Sequence, residues 1–263
     1  MKLHDTIAAQ LQQIMSGGGA TDAKLAAALR VLAKWRSTVI QSVVVQQHGT
    51  EVLAGPFAGL RFLGQSAEGC HVPKLLGIYE QELHDEVARI ARAEYEVILN
   101  IGCAEGYYAA GFKRLAPATE VFAFDTNPAA QEACRKVAAL NGVSIDIGGH
   151  FDPAQFAAFK DRRVLVWCDI EGAEVDLLDP AKCPALSGFD IVAELHLTPS
   201  GHTRDIILQR FSPTHGIEIR ESAGRALTYP AALRKASHLD QLLAQWEWRS
   251  APTPWAIMRA KGR

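Results

Sequence analysis

Two glycines and an aspartate lie at the carboxyl ends of two consecutive apolar runs, where they could bind a nucleoside. The run at 97–101 leads directly into Gly102 and Gly106, and the next run ends at Asp125. Glycine permits a sharp turn and a close approach of the backbone to a ligand, because it has no Cβ. A carboxylate at the second strand end can accept hydrogen bonds from both ribose hydroxyls. A tight turn followed by a helix-capping Asp125 is the structural alternative, but it leaves the joint spacing unexplained.

The glycine loop lacks the phosphate-binding spacing of dinucleotide enzymes. It reads G-x-x-x-G instead of G-x-G-x-x-G, and no tyrosine is followed four positions later by the lysine that a short-chain dehydrogenase needs. A ligand without a pyrophosphate fits better, and S-adenosylmethionine (SAM), an adenosine joined to an amino acid, is such a ligand. We therefore predict a SAM site, with Asn100 and Glu105 beside the methionine end. The predicted cofactor-binding residues are Asn100, Gly102, Cys103, Glu105, Gly106, Asp125 and Asp169.

A second group of polar residues follows the next two apolar runs. Asp169 comes directly after the run at 163–168, and Glu194 and His196 close the run after it. Residues two apart along a strand point to the same side, so neighbouring strand ends can bring these three together. Two carboxylates and an imidazole suit a divalent cation, Mg²⁺ or Mn²⁺ if oxygen ligands dominate and Fe²⁺ if the histidine ligates.

The predicted catalytic residues are therefore Asp169, Glu194 and His196, which are also the predicted metal ligands. A cation there would lower the pKa of an acceptor hydroxyl. Without a metal, His196 could act as the general base, because imidazole titrates near neutral pH. Structural alternatives stay open: Glu171 and Glu174 could simply favour the positive end of the following helix. Spacing alone makes the segment around Glu80 a solvated helix face.

The elements that must position these residues begin with a helical extension. Apolar spacing predicts helices at 5–15 and 22–36, a short strand at 39–45, a turn and strand at 55–63, and a helix at 79–93.

From residue 96 onward, apolar runs alternate regularly with helical stretches. The strand-like runs are 96–101, 120–124, 143–147, 163–168 and 189–195, and the helical stretches are 106–115, 128–140, 153–160, 173–179 and 203–211. Two final strands, at 216–221 and 255–260, flank a helix at 237–247. Such alternation indicates βαβ units and a parallel sheet. We predict an α/β fold, a Rossmann-like seven-stranded class I methyltransferase sheet with helices on both faces and an antiparallel last strand. The N-terminal helical extension covers 1–54 and the SAM-dependent domain 55–263, with the SAM half at about 95–200.

Composition excludes several classes of protein. The 263 residues are 48% hydrophobic and 21% charged, which is typical of a globular chain. With 27 Lys and Arg against 29 Asp and Glu, there is no basic excess for nucleic acid. No apolar run is long enough to span a membrane, and the N-terminus lacks the apolar core of a secretory signal. Five cysteines without a CxxC pair favour reduced thiols and a cytoplasmic location.

Four segments resemble the FkbM-type class I methyltransferases. The most specific is DIEGAE at 169–174, and GPFAGL, LLGIYEQEL and NIGCAEGYY precede it. The resemblance covers roughly residues 55–200. It implies a SAM-dependent fold and O-methyl transfer to a hydroxyl of a small molecule, sugar or natural product. Asn100 departs from the acidic residue that many SAM enzymes have at the first strand end.

The same residues also permit other interpretations. A metal next to SAM could support redox chemistry instead of methyl transfer, and a non-catalytic SAM-fold protein could serve as a binding module. An NAD-dependent oxidoreductase is disfavoured by the glycine spacing. The expected partner is a small-molecule acceptor, with no nucleic acid and no membrane. The N-terminal helices are also compatible with a homodimer.

Overall fold

A seven-stranded sheet forms the centre of the chain. The computed structural model describes residues 3–64, 70–197, 201, 203–249 and 251–262. Within them the strands are β1 (Val97–Ile101), β2 (Glu120–Phe124), β3 (Asp146–Gly148), β4 (Val164–Cys168), β5 (Asp190–Glu194), β6 (His215–Arg220) and β7 (Trp255–Ala260). Their order is β3-β2-β1-β4-β5-β7-β6. The first five strands are parallel, and β7 is antiparallel to both of its neighbours. The predicted Rossmann-like seven-stranded sheet with an antiparallel last strand is therefore confirmed.

Helices precede the sheet and cover its faces. They are α1 (Leu3–Ser16), α2 (Thr21–His48), α3 (Val72–Leu76), α4 (His84–Ile90), α5 (Tyr107–Leu115), α6 (Pro128–Asn141), α7 (Glu174–Leu177), α8 (Thr203–Phe211), α9 (Ala231–Arg234) and α10 (His238–Leu243). Short 3₁₀ helices occupy Gln81–Leu83, Pro153–Phe159 and Pro184–Gly188. None of the helices in the described part of the chain has the length and apolar character that a membrane crossing requires.

The central strands enter two separate cores because their side chains alternate between the faces of the sheet. Ile98 and Leu165 pack in the core on one face, whereas Leu99 and Val166 pack in the core on the other. All five residues of β1 and of β4 are buried. A parallel strand covered on both faces reads as a continuous apolar run, which is the pattern that identified these strands in the sequence.

The predicted strand at 39–45 is wrong, because this segment is the last part of α2. Its β-branched residues favour a strand locally. Ile40 and Val44 lie four residues apart, so they share one helix face, and both are buried in the core. Tertiary packing of that face therefore outweighs the local preference.

Two other predicted elements are shorter than expected. The segment 55–63 forms a turn, and among the described residues its β-pairing is a single antiparallel bridge between Glu51 and Arg61. The helix predicted at 79–93 is divided into the 3₁₀ turn at Gln81–Leu83 and α4. Both segments are fixed by packing against other parts of the chain, which local spacing does not show.

Helix α1 lies where the sequence predicted it, whereas α2 continues well beyond the predicted end at residue 36. A partly exposed ion pair joins α2 to α10, since the guanidinium of Arg36 donates to both carboxylate oxygens of Asp240 at 2.6 and 2.7 Å. The boundary after residue 54 between an extension and the larger domain stays a prediction.

Candidate functional site

The glycine loop after β1 is held by the end of β2. The N–H groups of Gly102 and Cys103 donate to the carbonyl oxygen of Phe124 at 2.8 and 3.0 Å. Gly102 and Gly106 both have φ of 82°, a left-handed conformation that side chains disfavour. A Cβ on Gly106 would lie 2.6 Å from Sγ of Cys134. Both glycines are therefore required by the path of the backbone, as the sequence predicted.

Asp125 is anchored at the end of β2 with part of its carboxylate still available. Its Oδ2 accepts the N–H of Ala104 at 2.9 Å, and its Oδ1 accepts the N–H of Asn127 at 2.8 Å. A carboxylate has about four acceptor positions, so these two bonds leave room for two more. The side chain is oriented by the backbone and can still accept hydrogen bonds from a ligand.

A cavity of ≈ 580 Å³ lies over the carboxyl ends of β1, β2 and β4. Gly102, Asp125, Asp169 and Glu171 are among its lining residues. Its apolar wall consists of Ile101, Phe124, Phe151, Pro153, Ile170 and Leu177. The volume falls within the range of small-molecule sites, roughly 300–1,000 Å³. An apolar slot next to an anchored carboxylate is the arrangement that a nucleoside needs.

The predicted SAM contacts divide into two groups. Gly102, Asp125 and Asp169 line the cavity, whereas four others are not among its lining residues: Asn100, Cys103, Glu105 and Gly106. Asn100 is only 1% exposed, and its Oδ1 has no hydrogen-bond partner in the described part of the chain. Direct contacts from these four residues to SAM stay predictions.

Glu105 forms a buried ion pair that supports the loop from α3. Its Oε2 lies 3.0 Å from Nζ of Lys74, and both side chains are almost completely buried. Burial alone would lower the pKa of Lys74, but the Glu105 carboxylate outweighs burial and raises it. The charged pair therefore ties the glycine loop to the segment before the sheet.

The second predicted group also assembles, around the imidazole of His196. Its Nε2 lies 3.3 Å from Glu194 Oε2, 3.4 Å from Glu171 Oε2 and 3.8 Å from Asp169 Oδ1. Its Nδ1 lies 2.9 Å from Glu174 Oε1. Burial would lower the pKa of His196, but the surrounding carboxylates, Glu174 and Glu194 above all, raise it. The structure thus brings Asp169, Glu194 and His196 together, as β4 and β5 end side by side.

Asp169 belongs to both halves of the site. It lines the cavity and faces His196, and its Oδ1 is buried with no hydrogen-bond partner among the described residues. Burial, together with the charges of Glu194 and Glu80, raises the pKa of Asp169 well above its usual range. A carboxyl group in this position is stabilised when it binds a proton or a cation.

Glu80 is a site residue that sequence spacing placed wrongly on a solvated face. It is completely buried, and its backbone has φ of 46°. Its Oε1 accepts from Arg249 at 2.7 Å, and its Oε2 accepts from the hydroxyl of Tyr108 at 2.5 Å. The pKa of Glu80 is raised to about 8, because burial and the charge of Glu194 together outweigh the opposing charge of Arg249.

Arg249 connects the carboxylates of this cluster, and the sequence offered no signal for it. Its guanidinium also contacts Glu194 Oε1, and it lies 3.1 Å from Glu247 Oε2. It comes from the segment before β7, far along the chain from Glu80, and no spacing marks it. For Glu80 a signal did exist, because it lies within the LLGIYEQEL segment.

Comparison with known proteins shows distant structural similarity alone. No protein-family model and no curated protein sequence matches the chain. Cofactor-bound Rv0187 from MTB is similar with a TM-score of 0.48 and 14% identity, over 70% of this chain and 82% of that one. The O-methyltransferase TomG from Streptomyces achromogenes has a TM-score of 0.43 and 10% identity, over 67% and 80%. A SAM-dependent O-methyltransferase from Thermotoga maritima has 0.44 and 14%, over 68% and 66%. Function is therefore argued from the site itself.

Proposed function

We propose that this chain is a SAM-dependent methyltransferase that methylates a hydroxyl oxygen of a small molecule. The observation that carries the proposal is the position of Asp169, which lines the nucleoside-sized cavity and also faces His196. A donor pocket and a group of acid–base residues thus meet at one side chain. Methyl transfer requires this adjacency, because the enzyme acts mainly by holding donor and acceptor in line.

The donor side fits SAM better than a dinucleotide. Asp125 can accept hydrogen bonds from both ribose hydroxyls, and the apolar wall that contains Phe151 and Ile170 suits an adenine ring. When bound, SAM supplies a methyl group on a sulfonium, so that the acceptor oxygen forms the new C–O bond as the C–S bond breaks.

On the acceptor side, Nε2 of His196 is the group placed to receive the hydroxyl proton. It faces the same gap as Asp169 and Glu194. Removal of that proton makes the oxygen a better nucleophile. General-base catalysis of this kind increases the rate about 10²- to 10⁴-fold. The DIEGAE segment, which resembles the FkbM-type enzymes, supports oxygen as the acceptor atom.

We further propose that a divalent cation binds at the same place and takes the Nε2 lone pair, so that His196 acts as the base only when no cation is bound. Asp169, Glu171 and His196 each offer a ligand atom within 4.8 Å of the others, and the unpartnered Asp169 Oδ1 fits such an ion. One imidazole and two carboxylates suit Mn²⁺ or Fe²⁺. Glu194 lies beside this set, but its Oε1 is already occupied by Arg249. A bound cation would lower the pKa of the acceptor hydroxyl.

Calorimetric titration of SAM tests the donor site. Wild-type protein, stripped of metal with a chelator, should bind SAM. Asp125→Ala should weaken binding about 100-fold, because two hydrogen bonds to a charged group are lost. The matched control is Asp146→Ala, which removes an exposed carboxylate from the adjacent β3 and should leave the affinity unchanged.

Two outcomes would contradict the proposal. If SAM gave no heat and no thermal stabilisation while NAD gave both, the cavity would belong to an oxidoreductase. If Asp125→Ala bound SAM as well as Asp146→Ala, the cavity over β1, β2 and β4 would not be the donor site.

A further inference from the structure

We propose that Glu174 is a positioning residue that fixes the direction and the tautomer of His196. It holds the proton on Nδ1 and leaves the Nε2 lone pair facing Asp169, Glu171 and Glu194. The chemical use of this lone pair rests on the proposed function, whereas the tautomer itself does not.

The contacts of Glu174 are made by one buried carboxylate oxygen. Glu174 is the first residue of α7 and is 0% exposed. Its Oε1 accepts the N–H of Ile170 at 3.2 Å and that of Gly172 at 3.3 Å, and it lies 2.9 Å from Nδ1 of His196. The shortest of the three contacts is therefore the one to the imidazole.

The protonation of the ring follows from what each partner can do. Oε1 of Glu174 already accepts hydrogen bonds from two backbone N–H groups, those of Ile170 and Gly172, so this oxygen acts as an acceptor. In its 2.9 Å contact with His196 the hydrogen must therefore be carried by Nδ1. A neutral imidazole has one hydrogen, and its other nitrogen then has a free lone pair.

Carboxylates on the other side of the ring compete for the opposite tautomer. Glu194 and Glu171 lie 3.3 and 3.4 Å from Nε2, beyond the usual range of a charge-assisted bond of about 2.7–2.9 Å. The 2.9 Å contact of Nδ1 with Glu174 lies at the upper end of that range. Geometry therefore favours the hydrogen on Nδ1.

The same carboxylate also holds the turn that carries Asp169 and Glu171. Glu171 has φ of 55° and Gly172 has φ of 107°, two consecutive left-handed residues that need external support. Glu174 bonds to the backbone on either side of Glu171. One side chain thus sets both the turn after β4 and the imidazole after β5.

A simple role at a helix N-terminus does not account for these contacts. Helix α7 has only four residues, so it offers little dipole for Glu174 to satisfy. Helix capping also does not explain why Glu174 contacts a histidine that lies 22 residues away. The hydrogen bond on one ring nitrogen decides which nitrogen is available for a proton or a metal, and here that nitrogen is Nε2.

Nitrogen NMR of protein labelled with ¹⁵N-histidine tests the tautomer directly. Spectra are recorded at a pH where the ring is neutral, and the His196 signals are assigned by their loss in His196→Gln. Wild-type protein should show hydrogen on Nδ1. In Glu174→Leu no acceptor faces Nδ1, so the hydrogen should move to Nε2, towards Glu194.

Glu171→Leu is the matched control within the same motif. Glu171 also faces the ring, but its side chain is 91% exposed and it lies on the Nε2 side. This variant should keep the hydrogen on Nδ1. Thermal unfolding of each variant shows that the comparison is made on folded protein.

Either of two results would overturn the proposal: a wild-type ring with its hydrogen on Nε2, or a Glu174→Leu ring that keeps the wild-type tautomer. The wild-type spectrum decides the first even if Glu174→Leu does not fold. Titration of SAM into the same samples keeps the two proposals apart, since failure to bind SAM would reject the methyltransferase and leave the tautomer result unaffected.

Discussion

The Cα of Gly102 lies directly against the carbonyl group of Asp169. A Cβ at Gly102 would be 1.6 Å from the Asp169 oxygen and 2.6 Å from its carbonyl carbon. The N–H of Asp169 also donates to the carbonyl of Ile101 at 2.9 Å. The loop that would hold the methyl donor and the strand end that would face the acceptor are therefore in backbone contact. A displacement of one must move the other.

Gly102→Ala should damage both stability and SAM binding. The new methyl group overlaps backbone, and φ of 82° adds strain, so we expect a loss of about 3 kcal/mol or more in the free energy of unfolding. Gly142→Ala is the control, since Gly142 has φ of 63° but nothing within 4 Å of its Cβ. It should cost about 1 kcal/mol and leave SAM affinity unchanged. Urea unfolding and calorimetry measure both, and normal SAM binding by Gly102→Ala would contradict the packing described here.

Asp169→Asn should stabilise the protein while removing a site residue. Burial and the neighbouring carboxylates raise the pKa of Asp169, so in the folded state its charged form is unfavourable. For an acid of this kind, stability is highest at low pH and falls as pH rises through the folded-state pKa. Asparagine cannot ionise, so the variant does not lose stability in this way as pH rises. Denaturant unfolding should give the variant about 1–2 kcal/mol more stability than wild type at pH 8, and a smaller difference at pH 4. Equal stability at both pH values would contradict the cluster electrostatics.

Most of the fold could be predicted because the central strands are buried on both faces. The run 164–168 is apolar throughout, the run 97–101 is apolar except for Asn100, and the run 255–260 matches β7. The failure at 39–45 has a clear origin, since β-branched residues prefer strands locally. Only the core that receives Ile40 and Val44 makes them helical.

The site could be predicted where chemistry follows a strand end and not where it crosses the chain. Asp125, Asp169 and His196 are each tied to a strand that the sequence shows. Glu80 and Arg249 are 169 positions apart and meet only because the segments before β1 and before β7 cover the same edge of the sheet. The spacing of residues in the sequence does not indicate such a contact.

Arg249→Met should be strongly destabilising near neutral pH. The guanidinium compensates Glu80, Glu194 and Glu247, and its loss leaves buried carboxylates without a counter-charge, at a cost of about 3–5 kcal/mol. Arg162→Met is the control, because Arg162 pairs with an exposed Glu120 at 2.9 Å, and it should cost less than about 1 kcal/mol. Urea unfolding compares the two. The deficit of Arg249→Met should shrink as pH falls and the carboxyls protonate, and an equal cost for both variants would argue against a buried cluster.

Metal removal and return tests the proposed cation. Chelator-treated protein should bind Mn²⁺, seen by electron paramagnetic resonance as loss of the free-ion signal. His196→Gln should weaken this binding about 10-fold or more, because it removes a ligand. His150→Gln is the control, since His150 is an exposed histidine on the wall of the same cavity. No uptake by wild type, or equal uptake by both variants, would leave His196 to act without a metal.

Acid sensitivity of the fold should come in part from His71. This ring is 2% exposed and stacks on Phe62 with centroids 5.3 Å apart. Burial, assisted by the charge of Lys74, lowers the pKa of His71 to about 4. The unfolded chain binds this proton near pH 6.5, so between these values the unfolded state holds more protons than the folded state. The free energy of unfolding should therefore be fully maintained above about pH 6.5 and fall by up to about 3 kcal/mol as pH drops to 4.

His71→Phe keeps an aromatic ring against Phe62 but cannot titrate, so its stability should fall less between pH 6.5 and 4 than that of wild type. His150→Gln, which removes an exposed histidine, should follow the wild-type profile. Urea unfolding at intervals of pH measures all three proteins. If His71→Phe lost stability as steeply as wild type, the acid sensitivity would have to come from carboxylates that pair with arginine. Asp85 is one of these, because its hydrogen bond with Arg220 lowers the pKa of the Asp85 carboxyl in the folded protein.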